Sequence, residues 1–171
     1  VAGPLAGFVV ALPALMIGLR LSEVRPMLTP LGASLGESLL LKYLVPQVLE
    51  IPSESYVVLL HPIAFAAWFG LFVTALNLLP IGQLDGGHIV YALLPQAHKY
   101  IALLTIGTLL SIAIMTRWYG WVIFMAITLS LGFRHPPVVE EISSLGLKRR
   151  MIGLFALIIF AITFTPVPFP F

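Results

Sequence analysis

The sequence predicts an all-α polytopic membrane protein, with about five transmembrane helices and one short interfacial or re-entrant segment. Composition is the first reason. Hydrophobic residues make up 60% of the chain and charged residues 9%, and the mean hydropathy is +1.06. A soluble domain carries about a quarter charged residues. The second reason is pattern: long apolar runs alternate with short stretches rich in Pro, Gly and charge. The third is length, since 171 residues hold several spans of about 20 residues each.

The first run covers residues 3–19. Gly3, Ala6 and Gly7 share one helical face, and small faces let membrane helices approach closely. Pro13 should kink this run or be absorbed by neighbouring groups. Residues 20–55 break the pattern with Arg20, Glu23, Arg25, Pro26, Pro30, Gly32 and Gly36, which mark a loop. Within them, Glu37 to Glu50 is apolar but short for a span, and suits an interfacial or re-entrant segment. Residues 56–79 form the longest run and the second span. Thr74 and Asn77 lie on one face of it, where both can bond a neighbouring helix.

Residues 100–116 and 118–133 are two further runs, split by Arg117-Trp118-Tyr119-Gly120. That split predicts a helical hairpin with arginine and aromatics at the membrane interface. Residues 134–150 are polar, and Pro136-Pro137 excludes a helix through that point. Residues 151–165 are the last run, followed by an extended tail with Pro166, Pro168 and Pro170.

Several function classes drop out. A net charge of +2, scattered between apolar runs, does not argue for nucleic acid. With no cysteine, disulfides and thiolate metal sites are excluded. The first run has no preceding basic region of the secretory kind. With five spans, one side carries Lys99, Arg134, Lys148, Arg149 and Arg150, and the other Arg20, Arg25, Lys42 and Arg117. The bias leans toward a cytoplasmic Asp85 end, with Lys148-Arg149-Arg150 the strongest cue.

The chain is organised around Asn77-Leu78-Leu79-Pro80-Ile81-Gly82-Gln83-Leu84-Asp85-Gly86-Gly87-His88. Asp85 is the one acidic residue between Glu54 and Glu140. A carboxylate at the end of a membrane-length helix is costly in lipid and points to function. Pro80 should end the helix, and the glycines permit a tight turn that presents Asp85. Irregular backbone at membrane depth needs a protein-lined or watery surrounding. A plain helix end with Asp85 solvated beyond the lipid fits the same residues. His88 reads either as a loop histidine or as a metal ligand, and His61 lies too far along the helix to join Asp85.

This stretch resembles the second signature of the site-2 protease family, the intramembrane zinc metalloproteases. The family pattern of Asn, Pro and Leu-Asp-Gly appears here as Asn77, Pro80, Leu84, Asp85 and Gly86, and its wording is similar to the prokaryotic and plastid branch. Gly3-Pro4-Leu5-Ala6-Gly7, Arg134-His135-Pro136-Pro137-Val138 and the Ile162-Thr163-Phe164-Thr165-Pro166 tail resemble other parts of the family. The resemblance implies one membrane-embedded peptidase-like domain over residues 1–171. It implies Zn2+ as cofactor, Asp85 as a metal ligand and Asn77 as the residue that positions substrate. It also implies a membrane-protein substrate with a transmembrane helix, cleaved in the lipid bilayer, and no nucleic acid.

The family's first signature, His-Glu-x-x-His, is absent: the histidines are His61, His88, His98 and His135. That motif supplies two zinc ligands and a general base, and a catalytic zinc site needs about three protein ligands. The chain begins at the Gly-Pro motif that follows the catalytic helix in the family. The expectation is a C-terminal fragment, itself inactive, whose Gly3–Gly7 face packs on the catalytic helix or simply on another span. An inactive scaffold that binds transmembrane helices is the alternative, as is a transporter or channel piece that uses Asp85 for ion coupling.

Overall fold

The computed structural model describes residues 1–26, 35–49, 56–130 and 146–170. Within them the chain forms seven helices and one two-stranded antiparallel ribbon. The described residues fall into two compact units, Ala2–Ala75 with Ala161–Phe171, and Val1 with Leu76–Phe160.

The first unit opens with α1 (Ala2–Arg20), which absorbs Pro13 without a break. It ends where the Ser22 hydroxyl donates to the Gly18 carbonyl at 2.8 Å. Two strands follow that the hydropathy pattern did not predict. β1 (Glu23–Pro26) lies in the stretch read as loop, and β2 (Tyr56–Leu59) at the start of the expected second span. They pair with Val24 opposite Val58 and Arg25 opposite Val57. β-branched residues favour this pleated surface, but four residues are too few to raise a legible alternation.

The ribbon shortens the second span to α3 (Pro62–Asn77). Pro62 suits the first helical position because its missing N–H has no partner to lose there. His61 is the residue that starts this helix. Its Nδ1 accepts the Ile63 N–H at 3.2 Å, and its own N–H donates to the Ser22 hydroxyl at 3.0 Å. Between the strands, α2 (Leu39–Val48) is short, as the sequence suggested, and is capped by Ser38, whose hydroxyl accepts the Leu41 N–H at 3.3 Å.

The core of this unit surrounds Trp68, packed with Leu15, Leu19, Leu41, Ala64 and Leu71. Trp68 stacks on Phe72 at 5.7 Å and meets Phe169 edge-on at 5.5 Å. Its indole N–H donates to the Gly36 carbonyl at 3.1 Å, which satisfies the one polar atom the buried ring carries. The proline-rich tail is therefore not a free extension. Pro168 is fully buried and its carbonyl accepts the Gly36 N–H at 2.8 Å. Gly18 lets α1 and α3 close up, since a Cβ there would collide with the Ala64 backbone. A Cβ on Gly7 would lie 2.9 Å from the Thr74 hydroxyl, so that part of the small-residue face is taken by α3.

The second unit contains α4 (Asp85–Leu93), α5 (His98–Thr116), α6 (Gly120–Ser130) and the greater part of α7 (Leu147–Thr163). The α5–α6 hairpin matches the expected split. Its turn is made by Arg117 at φ +56°, the left-handed region. Glycine is the usual residue there because it has no Cβ to clash. Arg117→Gly is expected to stabilise the protein by about 0.5–1 kcal/mol, read as a raised midpoint of thermal unfolding in detergent. After the turn, Trp118 and Trp121 pack edge to face at 5.3 Å.

The final helix starts earlier than expected, so Lys148, Arg149 and Arg150 stand on the first turn of α7 rather than in a polar loop. Arg134, His135, Pro136, Pro137, Glu140 and Glu141 lie outside the described residues. Two of the described helices, α1 and α5, are long and apolar enough to cross a membrane. The sequence count of about five spans is larger. α3 and α7 are shorter than those two, and the described part of α6 has 11 residues.

Candidate metal centre

The candidate centre is built on the break between α3 and α4. Asn77 is the last residue of α3 and is exposed. Beyond it the chain drops into a packed turn in which Leu78, Leu79 and Ile81 are buried. Pro80 denies the helix its next donor. The Ile81 N–H closes over it onto the Leu79 carbonyl at 2.8 Å, the three-residue hydrogen bond of a γ-turn. Gly82 then takes φ +53°, and the Leu84 N–H bonds the Ile81 carbonyl at 3.2 Å.

The segment does unwind, but Asp85 is not on the unwound turn. It opens a new helix, α4, after Leu84 at the N-cap. The sequence predicts a tight turn presenting Asp85 rather than a helix beginning there. Gly86 and Gly87 lower helix propensity by about 1 kcal/mol each relative to Ala, and nine residues are too few for a clear period. Both glycines are required by packing. A Cβ on Gly86 would collide with the Leu78 carbonyl, and one on Gly87 with the Gly82 carbonyl. The turn thus folds back onto the first turn of α4.

The placement suits an anion. Free N–H groups and the helix dipole favour negative charge at a helix N-terminus. The Asp85 side chain keeps 41% of its exposure, and the Val1 α-amine lies 3.7 Å from its Oδ1. At that exposure the pair adds little stability.

His88, for which the sequence leaves both a loop histidine and a metal ligand open, stands about one helical turn beyond Asp85 on α4. Residues three apart share a helix face. Both side chains reach solvent, while Gly86, Gly87, Ile89 and Val90 between and after them are buried. The exposed Gln83 on the turn was not singled out from the sequence; its position two residues before Asp85 was the available hint. His98 is at the start of α5, its ring edge-on to Tyr91 at 5.6 Å. Among the described residues no three His, Asp or Glu side chains come together as a metal site. These residues do not complete the three protein ligands that a catalytic zinc site needs.

The sequence profile of peptidase family M50 matches residues 1–116. The chain belongs to peptidase family M50, the site-2 protease family. Curated M50 relatives agree over nearly the whole chain. The probable zinc metalloprotease EGY2, chloroplastic, of Oryza sativa subsp. indica is 32% identical over 99% of this chain and 32% of its own length. EGY2 of Arabidopsis thaliana is 27% identical over 99% of this chain and 31% of its own. EGY1 of Arabidopsis thaliana is 28% identical over 97% and 31%. The chain thus spans about a third of the length of the curated relatives it matches. No solved structure matches it.

Proposed function

We propose that the chain is the Asp-bearing part of a zinc-dependent intramembrane endopeptidase that cleaves transmembrane segments of membrane proteins. The observation that carries this reading is Asp85 itself, partly exposed at the start of α4 behind a packed turn, in a chain of family M50. A helix elsewhere in a longer protein bearing His-Glu-x-x-His would bring two histidines and a glutamate and, with Asp85, complete about three protein ligands.

Zinc, when bound, supplies Lewis acidity toward a peptide carbonyl. This chain's residues have narrower tasks. Asp85 holds the metal, with its carboxylate aimed by the packed turn. Asn77, exposed across that turn, hydrogen-bonds the substrate backbone and holds the strand to be cut. Asn77→Ala is expected to lower cleavage by about 10²-fold with the fold unchanged, the order expected for one lost positioning hydrogen bond. A rate assay beside a thermal unfolding curve checks both halves of that statement.

Under this reading the chain is embedded in a bilayer as a single multi-pass domain, with the Asp85 end toward the cytoplasm. Exposed apolar side chains support embedding: Val10, Leu104, Ile114 and Met115 are 70–84% exposed. α3 and α7, at 16 and 17 residues, join α1 and α5 as spans near the lower limit of about 17.

Reading the coding sequence upstream of Val1 tests the proposal. A membrane helix with His-Glu-x-x-His shortly before Gly3 is the expected result. An upstream helix without those residues would leave a scaffold of the same family and remove the enzyme.

A further inference from the structure

A second chemically able side chain stands on the helix that begins at Asp85. The first four residues of α4 are Asp85, Gly86, Gly87 and His88. Glycine has no side chain, so this turn presents two: a carboxylate and an imidazole. Asp85 is partly exposed and His88 is exposed. Gly86, Gly87, Ile89 and Val90 are buried, and they lie on the other side of the helix. A Cβ on Gly86 or Gly87 would strike the Leu78 or Gly82 carbonyl, so the packed turn covers that side. Residues three apart share a helix face, with Cβ atoms about 5–6 Å apart. Asp85 and His88 therefore stand together on the open face of the first turn of α4.

An imidazole carries an N–H donor whether neutral or protonated. On the reading of this chain as part of a zinc peptidase, on which this inference rests, the scissile carbonyl is brought to Asp85. Addition of water to its carbon breaks the carbonyl π bond and leaves the electron pair, with its negative charge, on the oxygen. A donor within hydrogen-bond reach of that oxygen stabilises the transition state more than the bound substrate. An imidazole on the same helix face, one turn along, has that reach. A role as a further metal ligand fits less well. His-Glu-x-x-His and Asp85 would already supply about three protein ligands, and a catalytic zinc keeps one position open for water. A fourth side chain would close it.

We propose that His88 is a further catalytic residue, whose imidazole N–H donates a hydrogen bond to the scissile carbonyl oxygen as that oxygen becomes negative. The role differs from that of Asn77, which holds the substrate strand.

The test measures kcat and KM of the full-length protein on a transmembrane reporter substrate in proteoliposomes, beside His88→Phe and His88→Gln. Phe keeps a ring and removes the donor, and Gln keeps an N–H donor. The expected result is a fall in kcat of about 10²–10³-fold in His88→Phe with KM within about twofold, the signature of an interaction made in the transition state. His88→Gln should retain at least about tenfold more activity than His88→Phe. Zinc per chain and the midpoint of thermal unfolding should match the unmodified protein in both variants. A phosphonate peptide, whose charged oxygen stands in for the oxyanion, should bind more weakly to His88→Phe by a similar factor. Loss of zinc in His88→Phe would make the residue a ligand and overturn the proposal. So would an equal fall in both variants with a lowered unfolding midpoint, which would make its role structural. An unmodified protein that binds zinc and cleaves, with His88→Phe unaffected, would remove this proposal alone. An unmodified protein that does not cleave would remove the peptidase reading and this proposal with it.

Discussion

Replacing Asp85 by Ala in the full-length protein is expected to abolish cleavage of a transmembrane substrate. The loss should exceed about 10³-fold, more than follows removal of one donor from an oxyanion hole. The change removes a metal ligand rather than a hydrogen bond. It should leave the fold in place, because Asp85 is partly exposed and stands on the first turn of α4. Asp85→Asn gives a finer reading. It keeps the size and an oxygen donor but loses the charge, so residual activity in Asn above that in Ala would point to coordination. Cleavage of a reporter substrate in proteoliposomes, with circular dichroism as the folding control, checks this. Normal cleavage by Asp85→Ala would remove Asp85 from the chemistry.

The second large effect is expected at Gly86. A side chain there meets the Leu78 backbone carbonyl, which cannot swing away as a flexible side chain would. Gly86→Val should cost about 3 kcal/mol or more of stability, at or above the upper end for overpacked sites. The turn would have to move off α4, and Asp85 would move with it. A misplacement of about 1 Å at a reacting group costs about 10²-fold in rate. Gly86→Ala should show the same directions with smaller size. Thermal unfolding and cleavage rate should fall together in both variants. Gly3→Ala is the control: nothing lies within 4 Å of a Cβ there.

Much of the fold was legible because long apolar helices announce themselves by length and hydropathy. α1 appears within a residue or two of its apolar run, and the α5–α6 hairpin follows from Arg117-Trp118-Tyr119-Gly120. What was not legible depends on pairing between distant segments. β1 and β2 are four residues each, and their partnership joins residues thirty or more apart. Tyr56–Leu59 is as apolar as the helix after it, so hydropathy ran the two together. The tail looked extended because three prolines forbid a helix. Its burial depends on the Gly36 backbone and the Trp68 ring, which no local pattern encodes.

The centre divides in the same way. The break after Asn77 follows from Pro80 and Gly82, both local. The helix that begins at Asp85 does not, because Gly86 and Gly87 argue against it locally and are required by contact with Leu78 and Gly82. The roles proposed for Asp85 and Asn77 rest on resemblance to a motif; the packed turn between them is what the structure adds.

The measurement that tests the central claim most directly is the zinc content of the purified full-length protein, with and without Asp85→Ala, by elemental mass spectrometry after dialysis. The account predicts about one zinc per chain in the unmodified protein and a marked loss in the variant. Equal zinc in the two, with both folded, would contradict it.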